Sequence, residues 1–117
     1  MATAGEKQNI RVWKRDKFKC SYCDLDMSSG RNSELLVLDH IDPRTKIQDP
    51  PGDFERKHNP EKTTACIPCN LFKGQYRPPV NYLRAEKIKA AREHVRIKRE
   101  KFFEWFRKET GQDEPSQ

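Results

Sequence analysis

The chain has no long apolar run: nothing in its 117 residues approaches the ~20 consecutive apolar residues that a helix needs to cross a bilayer. Met1 to Ile10 is polar and lacks the apolar centre of a secretory signal. No internal repeat and no low-complexity tract interrupts the chain. Apolar residues are scarce, 33% against 36% charged, so the core must be small. These shortages point to one intracellular domain, expected in the cytoplasm and not in a membrane. So short a domain buries little apolar surface and gains from an internal staple.

Against those absences stand a basic balance and four cysteines. The formal charge is +6, which in a small chain favours an anionic partner, nucleic acid being the commonest. A merely well-solvated surface is the plainer account of the same charge. In a reducing compartment four cysteines suit metal ligation better than disulfides.

Along the chain, residues 1–9 read as a flexible start. Ile10 to Lys19 mixes Val12, Trp13 and Phe18 with Arg11, Lys14, Arg15, Lys17 and Lys19, the pattern of a short helix leading to the first cysteine pair. Ser28 to Ser33 is a turn cluster. Glu34 to Leu38 is a compact apolar run that predicts a buried strand ending at Asp39-His40. Residues 41–62, rich in proline, glycine and charge, predict a long ordered loop, with room for a short helix; loops of that length are usually functional or mobile. A second short strand is expected at 63–65, and a short helix from Pro68 to Lys73 closed by Gly74. A long helix is expected from about Asn81, as its N-cap, to Glu109. The polar residues 111–117 form a tail.

Cys20-x-x-Cys23 and Cys66-x-x-Cys69 are the strongest signal. Two residues between each pair let the backbone curl so that both sulfurs face one ion, and four thiolates make a closed tetrahedral Zn²⁺ site. Two disulfides or four free thiols are the competing readings. A zinc with four sulfur ligands has no open position, so any catalysis needs a second site. Asp39 and His40 offer a hard oxygen and an imidazole. Cys66, Cys69, Asn70 and Lys73 fall at i, i+3, i+4 and i+7, one face of a helix. An aspartate oxygen and an asparagine carbonyl suit Mg²⁺, and a neutral histidine beside them can accept a proton from water. These are the parts needed to hydrolyse a phosphodiester.

The order Cys-x-x-Cys, Asp-His, Cys-x-x-Cys-Asn, Lys resembles the zinc-containing branch of the HNH endonucleases. The pieces are Trp13-Lys-Arg-Asp16, Leu38-Asp-His-Ile41, and Ala65-Cys-Ile-Pro-Cys-Asn70 with Lys73-Gly74, spread from about Val12 to Gly74. The resemblance implies an α+β fold: a ββα-metal (His-Me finger) nuclease core over residues 10–79, stapled by the four-cysteine zinc site. The long helix follows over 80–110. It implies that His40 is the general base, that Asp39 and Asn70 hold a catalytic Mg²⁺ or Mn²⁺, and that Lys73 contacts phosphate. Asn59 is the nearest match to the loop-ordering asparagine of the family, although Glu61 lies closer to its usual place. His58 reads as an exposed loop residue and His94 as a helix-surface residue.

Between Arg84 and Glu109 there are ten Lys or Arg and five Glu. Ile88, Ala91, Val95, Phe102 and Phe106 make one apolar stripe, widened by Phe103 and Trp105. This is the pattern of an amphipathic helix packed on the core, with Arg92, Arg96 and Arg99 able to touch a DNA backbone. The generous stripe also allows a homodimer through this helix. Arg11, Lys14 and Arg15 form a second basic cluster. Phosphate contacts of this kind carry no sequence information, so weak or structure-directed specificity is expected, with double-stranded DNA the leading substrate. The spacing also resembles that of phage enzymes that cut branched DNA, which keeps that substrate open. The competing reading is a catalytically silent zinc module that binds nucleic acid or protein.

Overall fold

The computed structural model describes residues 4–43 and 62–112. Most of the expected 41–62 loop, with His58, Asn59 and Glu61, lies outside the described residues, as does all of the tail from 113 onward. A first helix, α1, spans Ala4–Arg15. It begins inside the stretch expected to be a flexible start, residues 1–9. Ala4, Glu6, Lys7 and Gln8 are good helix formers, and Val12, 1% exposed, anchors the helix to the core.

The end of α1 turns the chain sharply. Phe18 N–H donates to Trp13 O at 2.8 Å and Lys17 N–H to Lys14 O at 3.0 Å, the two bonds of a Schellman cap. Lys17 and Phe18 both take φ of 57°, a conformation costing roughly 1–2 kcal/mol per non-glycine residue. Bonds beyond the turn hold it in place. Met27 N–H donates to Phe18 O at 2.8 Å, and Lys19 bridges antiparallel to Asp26. Within that narrow loop, Cys20 N–H donates to Leu25 O at 3.0 Å and Asp24 N–H to Cys20 O at 2.9 Å. The first cysteine pair sits on this tight turn.

A 3-10 turn, Gly30–Leu35, takes the place of the expected turn cluster. It delays the first strand, so β1 is Leu36–His40 rather than Glu34 to Leu38. Asp39 and His40 therefore lie within the strand. Strand β2, Lys62–Cys66, is buried along its whole length. It pairs antiparallel with β1 in the register Leu36↔Cys66, Leu38↔Thr64, Asp39↔Thr63 and His40↔Lys62. Helix α2, Ile67–Lys73, follows β2 without a loop and packs on both strands. Pro68 stands in its first turn and Gly74, φ 54°, closes it, both as expected.

The long helix α3 spans Arg84–Thr110. Its N-cap is Leu83, not Asn81: the Glu86 carboxylate reaches back to accept from Leu83 N–H at 3.2 Å, one half of a capping box. Ala91 and Val95 are both fully buried against Met27, Tyr22, Ala65 and the cysteines, with Ile88 packed beside them. Farther along the helix, Phe102 is 42% and Trp105 57% exposed. The result is a small α+β domain with a two-stranded antiparallel sheet and a long C-terminal helix. Among the described residues no helix is long and apolar enough to cross a membrane.

Asp16, just past α1, ties that helix to the sheet. Its Oδ2 accepts from Thr64 N–H at 3.0 Å and Thr64 Oγ1 at 2.9 Å, while Arg15 Nε lies 3.0 Å from Oδ1. Burial alone would push the Asp16 carboxyl up, but the Arg15 guanidinium and the two donors of Thr64 hold it below the usual carboxylate range. Its folded pKa is therefore depressed, so the carboxylate stabilises the fold above the unfolded pKa of about 3.9 and ceases to do so as pH falls through the folded value. Asp16→Ala leaves the buried Thr64 donors unmatched and should destabilise by about 1–3 kcal/mol at neutral pH. Urea melts of the zinc-loaded chain at pH 7 check this: Asp16→Ala should unfold at a lower urea concentration than wild type by that margin.

Candidate metal centre and adjoining pocket

The turn after α1 supplies Cys20 and Cys23, and the β2–α2 junction supplies Cys66 and Cys69. Ligand atoms of all four lie within 4.8 Å of one another, and Cys23 Sγ and Cys66 Sγ are 3.8 Å apart. A disulfide needs about 2.05 Å. Four sulfurs at about 2.3 Å from a tetrahedral zinc are separated from each other by roughly 3.8 Å. The cluster thus has the donors and spacing of a structural metal site such as zinc.

Nearby donors favour thiolate sulfur. Tyr22 N–H reaches Cys20 Sγ at 3.4 Å and Cys66 N–H reaches it at 3.3 Å. Arg99 Nη2 donates to Cys69 Sγ at 3.0 Å, with its guanidinium held 5.1 Å from the Phe72 ring centroid. Hydrogen bonds from Cys23, Cys66 and Cys69 pull the Cys20 thiol far below its usual range. The same crowding, led by Cys20, pushes Cys66 and Cys69 up. Four thiols at this separation cannot all ionise together unless a cation stands among them.

Beside this cluster, the edge of β1 and one face of α2 enclose a pocket of about 440 Å³ lined by Leu38, Asp39, His40, Pro43, Asn70, Leu71, Lys73, Gly74 and Gln75. The strand brings Asp39 and His40 to one wall. Asn70, next in sequence to Cys69, comes to the other. Asp39 is 7% exposed, and two donors meet on a single oxygen of it. The Tyr22 hydroxyl donates to Asp39 Oδ2 at 2.5 Å, and Lys73 Nζ lies 3.1 Å from the same atom. Burial pushes the Asp39 carboxyl above its ordinary value, and the Lys73 ammonium and Tyr22 hydroxyl pull it only part of the way back.

Lys73 is not on the surface. It is 1% exposed, pairs with Asp39 and donates to His40 O at 3.0 Å. It is therefore not the solvated helix-end charge that such a position suggests, and its ammonium is engaged by Asp39 and the His40 carbonyl. Its i+7 spacing from Cys66, which put it on the inward face of α2, was the legible sign. Tyr22 went unnoticed because it sits between two cysteines and read as a spacer.

Most other cations expected to face nucleic acid have partners inside the chain. Arg92 donates to Ser21 O at 2.8 Å and forms a two-pronged pair with Asp24, Nη2 to Oδ2 at 2.9 Å, bracing the first cysteine turn. Arg96 is paired with Glu93 and Glu100 along its own helix. Arg15 donates to Lys62 O at 2.8 Å. Arg11 and Lys14 are exposed. His94, expected on the surface, is half-buried and stacks on Tyr76 with ring centroids 4.5 Å apart.

Asp39 Oδ1 takes neither of the two bonds that converge on Oδ2. An aspartate oxygen and an asparagine carbonyl are donors of the kind Mg²⁺ or Mn²⁺ takes, and both residues line this pocket. No family model, curated protein or solved structure matches the chain.

The sulfur cluster joins segments more than forty residues apart, so its metal should be part of the folding free energy, as in other small metal-stapled domains. Purified protein should carry about one zinc per chain, and stripping it should abolish the cooperative thermal melt. An unchanged melt after metal analysis has verified removal would contradict this.

Proposed function

We propose that the chain is a divalent-metal-dependent endonuclease of the HNH type, acting on the phosphodiester bonds of double-stranded or branched DNA. The observation that carries the reading is the pocket itself: Asp39, His40 and Asn70, separated by up to about thirty positions in sequence, line one concavity. Two antiparallel strands followed directly by a helix support it, because that order sets a strand edge against a helix face. The residue order shared with the HNH enzymes adds to it.

In this reading His40 is the general base, accepting a proton from the attacking water at an imidazole nitrogen. Its backbone carbonyl is fixed by Lys73, which limits how the residue can shift. Asp39 and Asn70 would hold Mg²⁺ or Mn²⁺, which when bound supplies positive charge to the phosphate and the leaving oxygen. The sulfur-bound metal has no part in the chemistry. It sets the start of α2 and hence the place of Asn70.

A second reading, a silent zinc-stabilised module that binds nucleic acid or protein, draws on the Asp39–Lys73 pair. An ammonium beside the carboxylate already balances its charge without any divalent ion. Incubation of supercoiled plasmid with the protein and Mg²⁺ separates the two. Nicking is expected, with a loss of about 10²–10⁴-fold in His40→Ala. Full activity in that variant would remove the assigned base, and tight DNA binding without nicking in any divalent ion would favour the silent module.

A further inference from the structure

The spacer residues of the first cysteine pair reach out of the metal cluster to both strands, and one of them to the pocket carboxylate. Ser21 N–H donates to Thr64 O at 2.9 Å, and its hydroxyl meets Thr63 Oγ1 at 2.5 Å. Tyr22, 4% exposed, donates its hydroxyl to Asp39 Oδ2 at 2.5 Å. Thr63 and Asp39 are opposite one another across the two strands. Adjacent residues of one turn therefore grip adjacent positions of both strands, and one of those positions is the pocket carboxylate. Tyr22 cannot drift from this contact. Cysteines flank its turn on both sides, and its own N–H lies 3.4 Å from Cys20 Sγ.

We infer that Tyr22 is a positioning residue for the pocket: it holds Asp39 with Oδ2 committed inward and the other carboxylate oxygen left for a divalent cation, so that the sulfur cluster and the cation site form one mechanical unit. The inference rests on the proposed role of Asp39. It names a further residue for that site, one that touches neither substrate nor cation. Lys73 grips the same oxygen from α2, so the carboxylate is held from the two cysteine-bearing segments at once. A buried hydroxyl bound to a carboxylate has no water to replace it. Its removal therefore frees the Asp39 side chain to turn toward Lys73 without opening a cavity larger than one oxygen atom.

Tyr22→Phe tests this in the full zinc-loaded chain. Binding of Mn²⁺ is followed by the electron paramagnetic resonance of the free ion, without DNA, so the readout does not depend on cleavage. Zinc content and thermal melt are measured on the same samples. The expected result is an unchanged zinc content, a melt still cooperative but lowered by several degrees, and a Mn²⁺ affinity weakened roughly tenfold, the scale of one hydrogen bond to a charged group. With DNA, kcat should fall while KM stays put. In an Asp39→Asn background the same change should have almost no further effect on Mn²⁺ affinity, since Tyr22 acts through that residue.

Equal Mn²⁺ affinity in Tyr22→Phe and wild type overturns the inference. So does an equal loss in both backgrounds, a loss of zinc from the variant, or the lack of any saturable Mn²⁺ binding by wild type. Wild type that binds Mn²⁺ with the expected dependence on Tyr22 but cuts no DNA would instead remove the nuclease reading and leave the positioning role intact.

Discussion

Convergence of four sulfur atoms within 4.8 Å is the constraint on which the rest of this small domain depends. The first pair hangs on a turn that reverses the chain after α1. The second straddles the point where β2 becomes α2. A domain with so few apolar residues has little else to fix these segments against each other. A tetrahedral ion held by these four sulfurs would define angles as well as distances, and so would set the direction in which α2 leaves the sheet. The burial of Cys69 and Lys73 on that helix follows from the same orientation.

Next to the sulfurs lies an interior that is more polar than its size would lead one to expect. Asp39 and Lys73 are 7% and 1% exposed. Removing one partner of such a pair typically destabilises by about 3–5 kcal/mol, because the other charge is left unmatched. A well-packed apolar pair would serve stability as well or better. The retained charges therefore weigh toward a use other than stability, and the adjoining pocket, with its imidazole and amide, supplies the setting for one.

The long helix carries a lesson about charge. Its cations contribute most of the basic balance of the chain, yet several of them are committed to structure. Arg92 clasps the first cysteine turn, Arg99 donates to Cys69 Sγ, and Arg96 is paired along the helix. Arginine suits these tasks because its planar fork makes several directed bonds at once while its face lies on an aromatic ring. Net charge reports the long-range field of a protein. It does not say which guanidinium has already found a partner.

Much of the molecule was legible from local rules. Cysteine spacing pointed to the metal cluster, the 3.6-residue period placed Ala91 and Val95 on the buried face of α3, and Gly74 marked the end of α2. Strand edges and caps were misjudged by a few residues, as at Glu34 and Asn81, because a 3-10 turn and a glutamate reaching back to the helix start left little trace in the pattern. Sequence by itself determined the residue types, their spacing and the shared face of Cys69, Asn70 and Lys73, since these follow from chain geometry within one helix, whereas Cys66 ends β2 and stands at the cap of α2. Only the tertiary structure decided that Tyr22 meets Asp39, that Lys73 turns inward and that the α3 arginines brace the cysteine turn. Those contacts join segments far apart in the chain, and which donor reaches which acceptor is set by packing that no local period encodes.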